Sequence, residues 1–266
     1  MFLAIDVGNS HTVLGCFVDG QLRRTWRIST HPLLTSDELQ LKLDGLFMRE
    51  GLSLSHVKSA MISSVVPPVT GAYRSLWRRT EVSGLKAAFH EVTDQLPFSF
   101  SIRANPSNQV GSDRLVNAEA AVREGGAPVI IVDSGTATTL CAVAPGRGGD
   151  RPEYLGGAIL PGIELSMETL ARKTAKLPSI ELLPPERAIG SNTQDALRSG
   201  ILLGYASMID GMVQRFKAEL GTRECRVVAT GGVSALLRGI AQEIDRFDPD
   251  LTLRGLVYLH ESISKR

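Results

Sequence analysis

Two short segments of this chain carry the same run of residues able to do chemistry. Ala4-Ile-Asp-Val-Gly-Asn-Ser10 and Ile131-Val-Asp-Ser-Gly-Thr-Ala137 each take an apolar strand into Asp, one further residue, Gly and a small polar residue. At such a strand end the Gly lets backbone N–H groups approach an anion, and the Asp carboxylate can hold a hydrated cation beside it. One Asp-x-Gly is also an ordinary turn. Two copies, about 127 residues apart, are too widely spaced for a solenoid and imply a duplicated domain with two facing loops that grip a polyphosphate from both sides. Neither G-x-x-x-x-G-K-[ST] nor a G-x-G-x-x-G following a strand occurs, so the hairpin is the remaining route to phosphate.

The elements that must carry these loops can be read from periodicity. Leu3–Val7 and Thr12–Val18 form a hairpin, Asp19-Gly20 turns into a third strand over Leu22–Ile28, and Thr35-Ser-Asp-Glu38 is a capping box before Leu39, Leu43, Leu46 and Phe47 at helical spacing. A strand over Val57–Val66 stops at Pro67-Pro68, a helix spans Val69–Arg79, and Leu85–Val92 is a strand. After an irregular stretch, Asp113–Arg123 is a helix closed by Gly125-Gly126. The order then restarts: strands over Val129–Val132, Thr138–Ala144 and Tyr154–Leu160, helices over Glu164–Lys173 and Thr193–Leu220, a strand over Arg226–Ala229, a turn at Thr230-Gly-Gly232, and helices over Ala235–Ile244 and Leu253–Ser262. The chain divides on this reading into residues 1–114, with the first loop, and 115–266, with the second.

Composition narrows the class. The 29 Lys and Arg nearly balance the 28 Asp and Glu, so no global basic field exists to hold a nucleic acid or an anionic membrane. With 43% apolar and 21% charged residues and no uninterrupted apolar run of about 18 residues, a soluble protein is expected. Asp6 interrupts the apolar start where a signal-peptide core would run. Cys16, Cys141 and Cys225 are odd in number and far apart, and His11, His31, His56, His90 and His260 show no ligand spacing, which argues against a disulfide framework and a zinc site and for a cytoplasmic location.

Further motifs follow in order: Ser63-Ser-Val-Val-Pro-Pro68, Val110-Gly-Ser-Asp-Arg-Leu-Val-Asn-Ala118, Leu155-Gly-Gly-Ala-Ile-Leu-Pro-Gly162, Ala175-Lys-Leu-Pro178, Ile189-Gly-Ser-Asn-Thr193, Ser199-Gly200 and Ala229-Thr-Gly-Gly232. Together with the paired loops they resemble the type III pantothenate kinases over nearly the whole chain. The resemblance implies an α/β protein of duplicated ribonuclease H-like domains (βββαβα type) flanking an ATP cleft, as in the actin and hexokinase superfamily. It implies ATP-dependent phosphorylation of the terminal hydroxyl of pantothenate, the first step towards coenzyme A, by a cytoplasmic homodimer with no nucleic-acid or membrane partner.

The implied roles fall on particular residues. Asp113 matches the proton acceptor, and its place at a helix start is expected to keep it ionised. Arg114 can fork onto the carboxylate of pantothenate, with the backbone N–H groups of Gly111 and Ser112 completing the cradle. Asp6, Val7, Gly8, Asn9, Ser10, His11, Thr12 and Val13 form the first ATP loop, Asp6 organising Mg²⁺ through water, and Thr136 touches ATP from the second. Asp133 matches a position holding a monovalent cation, K⁺ or NH₄⁺; by its residue type it can equally tie down its own turn. Thr193 matches a substrate-contacting Thr and can also cap a helix after Asn192. Thr230-Gly231-Gly232 resembles the turn beneath the adenosine.

One position departs from the pattern. Aligning Ile102-Arg103 and Val110-Gly111 without an insertion puts Ala104 where the resemblance calls for a substrate-contacting Tyr, and Pro106 falls one residue early. That removes an aromatic wall and a hydroxyl from the alcohol pocket. It keeps open a phosphotransferase of the same superfamily acting on another small alcohol. A non-catalytic regulator resembling the Bvg accessory factor relatives favours loss of Asp113 or of a phosphate loop, and both are present. Restoring the ring by Ala104→Tyr is expected to lower the Michaelis constant for pantothenate about 30-fold with little change in turnover, since a buried ring and a placed hydroxyl are each worth on the order of 1 kcal/mol. Steady-state kinetics that show binding abolished instead would place another side chain in that space.

Overall fold

A computed structural model describes residues 1–82, 87–174, 177, 178 and 180–265. The chain runs β1 (Phe2–Val7), β2 (His11–Val18), β3 (Gln21–Ser29), α1 (Ser36–Arg49), β4 (Ser59–Ser64), α2 (Pro67–Val82), β5 (Ala88–Glu91), β6 (Ser101–Ile102) and α3 (Ser112–Gly125). It continues through β7 (Val129–Ser134), β8 (Ala137–Ala144), β9 (Glu153–Pro161), α4 (Ile163–Lys173), α5 (Thr193–Arg198), α6 (Gly204–Glu219), β10 (Arg226–Thr230), β11 (Arg246–Phe247) and α7 (Leu251–Ser264).

Among the described residues one sheet is ordered β3-β2-β1-β4-β5 and the other β11-β10-β7-β8-β9-β6. The second contains the first: β7 pairs antiparallel with β8 and parallel with β10, as β1 pairs with β2 and β4. The likeness reaches single residues. β2 and β8 share one alternation of exposed and buried positions, and each bulges against the following strand, at Cys16/Phe17 and at Ala142/Val143. The duplication inferred from the two Asp-x-Gly loops is therefore a duplication of whole sheets.

Local chemistry explains the first sheet. Asp19 and Gly20 both adopt positive φ, 50° and 77°, which gives the β2–β3 turn the twist of its strands. The capping box holds: Thr35 Oγ1 accepts the Glu38 N–H at 3.3 Å while the Glu38 carboxylate accepts the Thr35 N–H at 2.9 Å. Behind that cap Leu39, Leu43 and Phe47 are buried in one cluster with Leu3, Ile5 and Leu14, and Phe47 stacks on Trp26 at 5.1 Å. In the second sheet Ile130, Val132, Leu140, Val227 and Ala229 bury against Leu202, Ile209 and Val213 from the long helical segment.

The chain forms two compact units, one of Met1–Phe98, Asn105–Ala120 and Thr252–Arg266, the other of Ser99–Ala104 and Ala121–Leu251. A single cut at 114/115 does not describe them, because the end of the chain returns to the first unit. Close packing fixes that return. A Cβ on Gly255 of α7 would stand 2.2 Å from the Val116 carbonyl oxygen, Leu253 closes over Gly15 of β2, and Thr252 Oγ1 donates to Asn117 Oδ1 at 2.7 Å.

Other expectations need correction. Residues 235–244 are not a helix: a 3₁₀ turn over Ser234–Leu237 is followed by turns, with Gly239 at φ 75°. The Asp210 carboxylate takes the N–H groups of Gln242 and Glu243 at 2.9–3.0 Å, which a helix needs for its own ladder. The apolar spacing of Leu236, Leu237, Ile240 and Ile244 is satisfied by packing a loop on the core. The segment expected as one helix over Thr193–Leu220 passes through a π-helical stretch at Ser199–Leu203. The strand expected from Leu85 is seen only from Ala88, because residues 83–86 lie outside the described residues, as do 175 and 176 of the Ala175–Pro178 motif.

Packing in the second sheet is tight enough to test. A Cβ on Gly157, opposite Cys141, would lie 1.8 Å from the Leu140 carbonyl oxygen, whereas one on exposed Gly45 of α1 meets nothing within 4 Å. Gly157→Ala is expected to destabilise by about 1–3 kcal/mol and Gly45→Ala to stabilise by about 0.5–1 kcal/mol. Urea unfolding midpoints moving in opposite directions check both.

Candidate active site

In the first unit the loop between β1 and β2 is closed by the Gly8 N–H donating to the His11 carbonyl at 2.9 Å. Val7 and Thr12 are buried at its base, Asn9, Ser10 and His11 are exposed at its tip, and Asp6, Gly8 and Val13 are partly buried. Thr12 Oγ1 lies 2.9 Å from Thr30 Oγ1, tying the loop to the end of β3. Parallel pairing sets Asp6 beside Ser63, so the carboxylate sits where β1 and β4 end together.

The start of α3 is brought to that strand end. Ser112 Oγ accepts the Ser64 N–H at 2.9 Å and lies 3.0 Å from Ser63 Oγ. Asp113 follows in the first helical turn, its Oδ1 accepting the Arg114 N–H at 2.8 Å. The Asp113 and Arg114 side chains fold back over Gly111: a Cβ there would be 2.4 Å from Asp113 Oδ1 and 3.5 Å from Arg114 Nε. Any other residue at 111 displaces the carboxylate. Burial pushes the Asp113 carboxyl above its ordinary value, against the opposing pull of the Arg114 N–H and guanidinium. The helix start favours the ionised form, as the sequence suggests, and the withdrawal of water works against it. The result is a carboxylate with more than usual appetite for a proton, as a proton acceptor requires.

The second unit builds its loop more tightly. Gly135 N–H donates to the Ala137 carbonyl at 3.1 Å, and the hairpin is one residue shorter, Ser134 pairing with Thr138 where Val7 pairs with Thr12. Thr136 is exposed at the tip; buried Thr138 hydrogen-bonds the Tyr205 hydroxyl. Two glycines frame the loop, and sequence reasoning assigned Gly162 no part in it. A Cβ on Gly162 would lie 2.3 Å from the Thr136 carbonyl oxygen, and one on Gly231, at φ 93°, would lie 2.4 Å from the Ser134 carbonyl oxygen and 2.6 Å from Asp133 Oδ1. Their place in the Leu155–Gly162 and Ala229–Gly232 motifs was the available signal.

The remaining candidates lie elsewhere in the second unit. Thr193 is the exposed first residue of α5, and the cap is Asn192, whose Oδ1 accepts the Asp195 N–H at 3.0 Å. Ala104 is partly buried beyond the end of β6. No cluster of three His, Cys, Asp or Glu able to hold a metal occurs among the described residues. A divalent ion at Asp6 therefore fits only as Mg²⁺ commonly binds, through one carboxylate with water and substrate phosphates. At Asp133 the missing Gly231 Cβ leaves a cradle beside two oxygens, Asp133 Oδ1 and the Ser134 carbonyl, a donor set suited to a hard monovalent cation.

The raised proton affinity of Asp113 has a consequence for stability. The folded state holds this proton to higher pH than the unfolded chain, so stability falls as pH rises from the ordinary carboxylate range through the raised folded value. Asp113→Asn removes the titrating carboxyl from this partly buried place. The variant is expected to melt above the wild type at neutral pH, with the difference shrinking as pH falls towards the ordinary carboxylate value; thermal melts across pH check the sign.

Comparison with known proteins places the chain in a family. The family model for type III pantothenate kinase matches residues 2–215. A type III pantothenate kinase from Rubrobacter xylanophilus is 46% identical over 265 residues, covering 98% of this chain and 97% of that protein. Among solved structures, a candidate 2-dehydro-3-deoxygalactonokinase from Sinorhizobium meliloti superposes with a TM-score of 0.62 at 16% identity, covering 100% of this chain and 99% of that one. A candidate Baf-family transcriptional activator from Campylobacter jejuni gives 0.59 at 17%, covering 99% and 100%. At such identities these two speak to fold alone, the duplicated ribonuclease H-like α/β architecture. Matched along most of its length by the family model and nearly end to end by a curated relative, the chain belongs to the type III pantothenate kinase family.

Proposed function

We propose that this chain transfers the γ-phosphoryl group of ATP to the terminal hydroxyl of pantothenate, giving 4′-phosphopantothenate and ADP in the first step towards coenzyme A. The observation that carries the reading is the Asp113 carboxylate, partly buried, raised in proton affinity and folded over Gly111 in a chain of this family. Asp113 takes the hydroxyl proton as the alcohol oxygen bonds to the γ-phosphorus and the bond to the ADP oxygen breaks. Arg114 and the N–H groups of Gly111 and Ser112 hold pantothenate by its carboxylate and polar groups. The first loop, Asp6 to Val13, and Thr136 of the second bind the phosphates through backbone N–H groups and hydroxyls, and Thr193 contacts the alcohol substrate.

Asp6 would hold Mg²⁺, and Asp133 with the Ser134 carbonyl would hold K⁺ or NH₄⁺. When bound, these ions neutralise phosphate charge, a task no Lys of the described loops performs. The family reading also carries a homodimer, for which the second unit offers exposed Ile159, Leu165 and Leu170, and a cytoplasmic location. No helix among the described residues is long and apolar enough to cross a membrane. The absent ring at Ala104 favours one second reading, a different small alcohol as acceptor.

ATP consumption measured with pantothenate, with and without K⁺, separates these readings. Pantothenate-dependent ADP release that K⁺ stimulates is expected, and Asp113→Asn should lower turnover by about 10²–10⁴ while ATP still binds. ATP hydrolysis indifferent to pantothenate would leave the nucleotide site standing and move the acceptor to another alcohol.

A further inference from the structure

The Ser63–Pro68 motif has no part in the chemistry so far, yet its first two residues hold the start of α3. Ser63 is fully buried at the end of β4, beside Asp6 in the parallel register. Ser112 Oγ accepts the Ser64 N–H at 2.9 Å and stands 3.0 Å from Ser63 Oγ and 3.2 Å from the Ser64 carbonyl oxygen, so its own proton stays within this group. Ser64 Oγ is turned the other way, accepting the Val66 N–H at 3.1 Å, which shapes the turn into α2 and leaves the Ser64 backbone for Ser112. Three residues thus fasten one helix end to one strand end across 49 positions of sequence. The very next residue is Asp113.

We propose that Ser63 and Ser112 form a clip that positions Asp113 beside the strand end carrying Asp6. The proposal rests on Asp113 being the proton acceptor. The two serines are positioning residues: Ser63 and the Ser112 hydroxyl act through Asp113. Their geometry gives the reason. The carboxylate lies back over Gly111 and takes its hydrogen bonds from the backbone N–H groups of the same helical turn, so its direction depends on where the first turn of α3 is anchored. A small displacement of a catalytic group is costly in rate. The second unit supplies the natural control residue: Thr230 occupies in β10, beside Asp133, the buried position that Ser63 occupies in β4 beside Asp6. The backbone of this fold accommodates a threonine there.

The test is a double-mutant cycle read in turnover and in the Michaelis constant for ATP, on full-length protein with melting temperatures recorded. Ser112→Ala and Ser63→Ala are each expected to lower kcat about tenfold, the scale of one lost hydrogen bond with its geometry, and to leave the ATP constant within about twofold. Ser63→Thr, which keeps the hydroxyl, should restore most of the loss. In an Asp113→Asn background the same alanine changes should cost less than about twofold, because the group they position is no longer there to misplace. Equal losses in both backgrounds would make the clip an ordinary structural contact and overturn the proposal, as would unchanged kcat in both alanine variants. Should Ser112→Ala not fold, Ser63→Ala carries the same cycle from the strand side. Wild-type turnover in Asp113→Asn alone is a separate outcome: it removes the proton acceptor, and the clip proposal with it.

Discussion

The backbone register of β1 against β4, and of β7 against β10, governs everything at the two loops. Parallel pairing sets Asp6 beside Ser63 and Asp133 beside Thr230. Because side chains alternate along a strand, a slip of one residue would turn each Asp to the opposite face and its buried neighbours outward. Register is held by the apolar faces: Leu3, Ile5 and Val7 on one strand and Ala60 and Ile62 on the other lie in a single cluster. The carboxylates therefore occur where the hydrophobic ladder runs out, and the glycines after them let the chain turn back at once into the antiparallel partner.

On that shared frame the two units have diverged at the exit of the neighbouring strand. β4 leaves through Ser64, whose backbone is taken by Ser112, so the first unit gathers the start of a helix and with it the Asp113 carboxylate. β10 leaves through Gly231, whose positive φ and absent Cβ let the chain close over Asp133 and the Ser134 carbonyl. One exit serves to hold an acid in place; the other leaves oxygens around a small cradle. The buried threonines after the loops have diverged in parallel, Thr12 bonding Thr30 within its sheet and Thr138 reaching Tyr205 on a helix.

Much of this is legible in the amino-acid sequence, because it follows from local rules. A strand ending in Asp-x-Gly has few alternatives to a hairpin, and two copies at a long separation fix a duplication, so the sheets and the loop residues can be read directly. The capping box at Thr35 is a matter of four consecutive residues. What cannot be read depends on distant groups. The carboxylate of Asp210 unmakes a helix at Gln242 and Glu243 that apolar spacing otherwise favours. β6 and β11 are two residues each, too short for any period. Ser63 and Ser112 are individually ordinary serines, and only the fold makes them neighbours.

The proton affinity of Asp113 belongs to the same class of properties. A helix start and an adjacent Arg both favour the ionised form, and reasoning from neighbours in sequence stops there. Packing over Gly111 removes water from the carboxylate, and that loss is larger than either gain. Holding a charge in such a place opposes folding at neutral pH, so its persistence requires the rest of the unit to be stable enough to bear it. The apolar cluster beneath β1 and β4 provides that reserve, and the hydrogen bonds at Ser112 fix where it is applied. A carboxylate left in water at the same helix start would be ionised at less cost to the fold, and for the same reason would be a weaker acceptor for the proton of an alcohol.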